Sequence, residues 1–213
     1  MQTFYFTDPG KVRSHNEDSV TIINNDQNEF ILAVADGMGG HKAGEVASAI
    51  AIEHIKESFY SLETIGNKEE AIEWLRTIVK EINEKIFDYA KKNPESKGLG
   101  TTLVIAIKTD DYILYGNIGD SSGYVIKNNT LHKVTKDHTY VGMLLTSGRL
   151  TEESAKNHPG KNLLTRALGA NDPIEIDIFD IDTSVKGLFL CSDGLTNMLT
   201  DEQIEKILNS ALP

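Results

Sequence analysis

FILAVADGMGGH, residues 30–41, opens with an unbroken apolar run from Phe30 to Ala35 and ends in Asp36-Gly37-Met38-Gly39-Gly40-His41. An apolar run without polar alternation suits a strand covered on both faces. An aspartate at the mouth of such a strand loses hydration and needs a compensating partner. GLFLCSDGLTN, residues 187–197, repeats the pattern, with Leu188 to Cys191 apolar and Ser192-Asp193-Gly194 following. Glu17 and Asp18 stand directly before the apolar strand Ser19–Ile23, and Asp120 follows another core-like run in YGNIGDSS. A single Asp-Gly is ordinarily a turn former or helix cap, but here carboxylates recur at four strand ends. If the sheets bring those ends together, repulsion makes the arrangement unstable without cations. No His-x-His, His-Glu-x-x-His or cysteine pair offers softer ligands. Oxygen ligands with waters retained on the ion select Mg²⁺ or Mn²⁺. The glycine after each aspartate lets a backbone carbonyl come close to an ion.

Around these ends, strands are expected at 2–7, 19–24, 29–35, 102–108, 112–118, 122–127, 131–134, 174–180 and 186–192. They are short, rich in Val, Ile, Phe and Tyr, and bounded by turn formers such as Asn24-Asn25-Asp26. Two long helices interrupt them. The helix over 44–62 carries Ala51, Ile52, Ile55, Phe59 and Leu62 on one stripe. The helix over 68–92 carries Ala71, Leu75, Ile78, Val79, Ile82, Ile86 and Tyr89 at three- and four-residue steps. Each helix covers an apolar surface on one side only. The fold class is therefore α+β: two stacked antiparallel β-sheets flanked by helices, an α-β-β-α sandwich. The polar region 140–161, with a short helix from Thr151, reads as a surface excursion.

The totals agree. The chain has 213 residues, 39% hydrophobic and 25% charged, as one large globular domain requires. A net charge of −11 with scattered Lys and Arg argues against nucleic acid as a partner. No apolar stretch is long enough to insert into a membrane. The N-terminus lacks the apolar core of a signal peptide, so a cytoplasmic location is expected. The one cysteine, Cys191, excludes a disulfide framework and a thiolate zinc site, and its apolar strand makes it a small core residue. SDGLTN after it lacks the arginine that a cysteine-dependent phosphatase needs. The glycine-rich turn Gly37–Gly40 does not make a dinucleotide site, because Lys42 replaces the third fingerprint glycine and no acidic strand end follows at the required distance. The phosphate-binding Walker pattern is absent.

RSHNED, ADGMGGH with AGEVAS behind it, GTT at 100–102, GDS at 119–121, DH at 137–138, NLLTRALG at 162–169 and SDGLTN at 192–197 occur in order. Together they resemble the metal-dependent serine/threonine protein phosphatases of type 2C in their compact bacterial form, over nearly the whole chain. The resemblance implies a two-metal site, Mn²⁺ or Mg²⁺, at one end of the sandwich, with a weaker third ion. Asp36 would bridge both ions, the Gly37 carbonyl would bind one, and Asp193 the other. Glu17 and Asp18 would hold or orient bound waters. Asp120 with Asp193 would serve the third ion. Arg13 would grip the substrate phosphate, as a planar guanidinium suits. His41 is the candidate donor of the proton to the departing oxygen, His138 is a candidate buttress of the site without an assigned role, and His15, His54, His132 and His158 read as surface or turn residues. The implied reaction is direct, in-line hydrolysis of phosphoserine or phosphothreonine by a metal-activated water. The implied partners are phosphorylated proteins and a cognate serine/threonine kinase, and a monomer is expected.

Two departures stand out. Ser122 replaces the arginine usual after GDS. Residues 1–213 are expected to form a single phosphatase domain, one that stops short of the family's closing strand and its Asp-Asn pair, whose aspartate is a further ligand; either the sequence is truncated there or the protein lacks that ligand. In the second case one ion would be held loosely. The alternatives left open are a catalytically impaired phosphoprotein-binding relative and a phosphatase dedicated to a regulatory switch protein.

Overall fold

The computed structural model describes residues 2–11, 14–40, 43–96, 98–156 and 158–211. Strands β1 (Asp18–Asn24) and β2 (Phe30–Met38) form a hairpin, and helices α1 (Ala43–Tyr60) and α2 (Lys68–Lys92) follow. Next come β3 (Gly100–Thr101), β4 (Leu103–Lys108), β5 (Ile113–Ile118), β6 (Ser122–Lys127) and β7 (Thr130–Lys133). Helices α3 (Tyr140–Thr146) and α4 (Glu152–Lys156) cross the surface excursion. The described chain ends with β8 (Asp177–Ile181), β9 (Gly187–Cys191), α5 (Asp193–Thr196) and α6 (Asp201–Ala211).

All strand pairings are antiparallel. One sheet has the order β1-β2-β4-β5-β8, with β3 extending the β2 ladder, and the other has the order β7-β6-β9. Side chains alternate across a strand, and the two cores follow that alternation. Ile31, Ala33 and Ala35 of β2, with Ile105, Ile107 and Leu114, face Ala47, Ala51, Ile55 and Phe59 of α1 and Leu75, Ile82 and Ile86 of α2. Leu32 and Val34, with Val104, Ala106, Ile113 and Tyr115, face Val125, Leu188 and Leu190 of the second sheet. On the far side of that sheet lies α6, where Glu205 accepts a hydrogen bond from the Leu131 N–H at 2.7 Å and Ile204 is buried. The layers are thus helices, sheet, sheet, helix.

The helix starts follow ordinary chemistry. Asn67 caps α2 by accepting from the Glu70 N–H at 3.0 Å, and the Glu70 carboxylate accepts from the Asn67 N–H at 2.8 Å, a reciprocal capping box. Two expectations fail. Among the described residues no strand precedes β1, and Phe4 and Phe6 lie 84% and 74% exposed. Strand-forming composition is insufficient there because a strand needs a neighbour to complete its ladder. Leu188 to Leu190 are only half-buried, because β9 pairs with β6 alone and lies at the edge of its sheet among the described strands. None of the helices among the described residues is long and apolar enough to cross a membrane.

Candidate active site

The antiparallel register of β1 and β2 sets Asp18 directly opposite Asp36. The same logic operates in the second sheet, where Ser122 pairs with Cys191, so Asp120 before β6 and Asp193 after β9 emerge at one end. Glu17, Asp36, Gly37, Asp120 and Asp193 line a single cleft of about 660 Å³, and Arg166 stands among its other lining residues.

Asp36 is fixed through its backbone. Its N–H donates to Thr102 Oγ1 at 3.0 Å, and its carbonyl accepts from the Thr102 N–H and from Thr101 Oγ1, both at 2.9 Å. Thr102 Oγ1 also lies 2.7 Å from Ser121 Oγ, so one buried hydroxyl ties the Asp36 strand end to the residue after Asp120. The Gly37 N–H donates to the Glu17 carbonyl at 3.1 Å, and Ser48 Oγ donates to the same oxygen at 2.7 Å. Gly37 has no room for a side chain, since a Cβ there would overlap the Gly44 carbonyl and come within 2.5 Å of the Glu17 oxygen. This close approach of β1, β2 and α1 explains the glycine better than any demand of backbone angle.

The electrostatics show what the cleft lacks. Burial, and then the fields of Asp18, Asp193 and Asp120, push the Asp36 carboxyl up to about 8. Burial, followed by Asp193 and Asp137, pushes Asp120 up to about 6. Cys191 nearby is pushed up to about 12, chiefly by burial, and is no nucleophile. Among the described residues no three His, Cys, Asp or Glu side chains are already gathered as a metal cage. What exists is a set of mutually repelling carboxylates around a shared opening, all with hard oxygen donors. Such a donor set fits divalent Mg²⁺ or Mn²⁺, whose charge offsets the repulsion and whose remaining positions take water.

Several supporting residues carry no role in the sequence reading. Ser192 Oγ donates to Asp18 Oδ2 at 2.7 Å and thus joins the two sheets across the site. Asn197 Nδ2 donates to Asp193 Oδ2 at 3.0 Å, four residues on. Thr102 was visible only as part of a Gly-Thr-Thr motif. Arg13 and His41 lie outside the described residues. Of the remaining histidines, His54 is not a surface residue: its ring is 13% exposed between α1 and α2, 2.8 Å from Glu81.

A protein phosphatase 2C model matches residues 11–211. The chain belongs to the protein phosphatase 2C family. It is 43% identical over 211 residues to the serine/threonine phosphatase stp of Listeria welshimeri, covering 99% of this chain and 84% of that protein. It is 35% identical over 214 residues to protein phosphatase PhpP of Streptococcus pneumoniae, covering 100% of this chain and 86% of the relative. Among solved structures, serine/threonine phosphatase Stp1 from Staphylococcus aureus superimposes with a TM-score of 0.88 at 39% identity, covering 95% of this chain and 80% of that one. The S. agalactiae serine/threonine phosphatase gives 0.88 at 32% identity, with 95% and 84% covered. As a family member the chain is a serine/threonine phosphatase, a phosphoric monoester hydrolase.

Proposed function

We propose that the cleft hydrolyses phosphoserine and phosphothreonine in proteins, with Mn²⁺ or Mg²⁺ held by Asp36, the Gly37 carbonyl and Asp193, aided by Glu17 and Asp18. Asp120 with Asp193 would hold a weaker third ion. When bound, such ions supply an acidified water as nucleophile and positive charge for the phosphoryl oxygens. The reading is carried by one observation: Asp36 is buried within the fields of Asp18, Asp193 and Asp120 at a shared opening. Hydrogen bonds on Asp18 and Asp193 come from neutral donors, Ser192 and Asn197, so these side chains orient the carboxylates without cancelling their charge. Arg13 is assigned the substrate phosphate and His41 the proton for the departing serine or threonine oxygen.

The class of enzyme that makes such substrates is a protein serine/threonine kinase, and the phosphatase would oppose one in the cytoplasm. The enzyme is proposed to act as a monomer. The test is phosphate release from a phosphothreonine peptide by metal-stripped protein titrated with Mn²⁺. Turnover that needs Mn²⁺, stops with EDTA and falls at least about 10³-fold in Asp36→Asn and Asp193→Asn is expected. Undiminished turnover in both variants overturns the assignment of residues. Peptide binding without turnover at any Mn²⁺ concentration replaces hydrolysis with a binding role.

A further inference from the structure

We propose that His138 is a positioning residue that sets the Gly119–Asp120 turn, and so aims Asp120 into the cleft, through a relay anchored by Asp177 and Arg166. This rests on the reading of Asp120 as a cation-facing carboxylate. The turn before Asp120 is gripped on both sides by one residue. The Gly119 N–H donates to His138 Nδ1 at 3.1 Å, and the His138 N–H donates to the Gly119 carbonyl at 2.9 Å. Asn117 Nδ2 adds a donation to the Gly119 carbonyl at 3.3 Å and one to Lys136 O at 2.8 Å. Gly119 needs this grip. It sits at φ +99°, where a Cβ would come within 2.6 Å of the Thr102 methyl, so glycine is required and glycine is also the least self-constrained residue.

The imidazole is held in one tautomer. Because Nδ1 accepts from an amide, the ring proton of the neutral form lies on Nε2, which donates to Asp177 Oδ2 at 3.1 Å. Asp177 Oδ1 accepts from the Arg166 guanidinium at 2.6 Å, and the same guanidinium reaches Glu175 O at 3.3 Å. The ring is 10% exposed and is not among the residues lining the cleft, whereas Asp120 and Arg166 are. The relay therefore begins and ends at the cleft while its middle is walled off. His138 also closes the other rim, since its carbonyl accepts from the Thr165 N–H at 2.8 Å, next to Arg166. A residue that touches no substrate thus couples two walls of the site, much as outer hydrogen-bond partners orient the ligands of a metal.

The experiment compares His138→Ala with His138→Asn in the full chain, since the Asn amide oxygen can occupy the place of Nδ1 and accept from Gly119. Three quantities are read: amide exchange at Gly119, Mn²⁺ binding by electron paramagnetic resonance, and the Mn²⁺ dependence of phosphopeptide hydrolysis. His138→Ala should speed Gly119 exchange at least about tenfold and weaken the loosest Mn²⁺ by about 10–100-fold. His138→Asn should restore much of both. A purely structural histidine would lower the unfolding temperature alike in both variants, with no rescue by Asn. Unchanged Gly119 exchange in His138→Ala overturns the positioning role whatever the enzyme does. Faster exchange with unchanged Mn²⁺ binding overturns the link from turn to site. Wild-type protein that binds no Mn²⁺ defeats the functional reading instead, while the exchange comparison still decides the turn. Should His138→Ala not fold, Asp177→Ala removes the Nε2 acceptor and is expected to speed Gly119 exchange in the same direction; no change there overturns the relay.

Discussion

Replacing the ionisable carboxyl of Asp36 with an amide should stabilise the cation-free protein while abolishing its activity. The Asp36 carboxyl titrates at about 8 in the folded chain and at 3.8 when unfolded. Between those values the native state holds a proton that the unfolded state has released, so the unfolding free energy falls as pH rises. Stability from this group is complete below about pH 4 and is lost progressively up to about pH 8. One proton's difference is worth about 1.4 kcal/mol per pH unit, hence about 3 kcal/mol between pH 5 and pH 7. For a chain of this size that is roughly 5–10 °C in unfolding temperature. The assay is thermal unfolding in EDTA across pH 5 to 8, wild type against Asp36→Asn. The difference should widen in favour of the variant as pH rises, and Mn²⁺ should reverse it by stabilising only the wild type. Parallel pH curves for the two proteins, with no added effect of Mn²⁺, would refute the reasoning.

Thr102→Val keeps the shape of the side chain but removes the acceptor of the Asp36 N–H and the partner of Ser121. It should cost about 1–3 kcal/mol in urea unfolding, together with a weakened Mn²⁺ dependence of turnover. Gly37→Ala drives a Cβ into the Gly44 and Glu17 carbonyls, so it should cost about 3 kcal/mol or more and yield little folded protein by circular dichroism. Cys191, buried and titrating near 12, should resist a thiol reagent at pH 8 in the native protein and react once in urea, and Cys191→Ser should keep its activity.

The two Asp-Gly strand ends were readable because an apolar run meets charge there within a few residues, although the run before Asp193 is only half-buried. Asp36 and Asp193 are named by that juxtaposition alone, and the sandwich follows from the short apolar runs and the two amphipathic helices. The supports were mostly not readable: His138 alone stood out as a candidate buttress, and its partners were not legible. Ser192 reaches Asp18 across 174 positions of sequence, and His138 reaches Gly119 and Asp177 from a loop. Nothing local marks such partners, because hydroxyls and imidazoles are at home on any surface. The misread strand over 2–7 and the half-exposed β9 share one cause. Composition reports how well a segment suits a sheet, while pairing depends on which neighbour the chain supplies.

Anomalous scattering from crystals soaked in manganese tests the central claim most directly. The account predicts manganese peaks in the cleft, within ligand distance of the Asp36 and Asp193 carboxylates and the Gly37 carbonyl. Peaks confined to other parts of the surface, with these carboxylates left apart and bare, would contradict it.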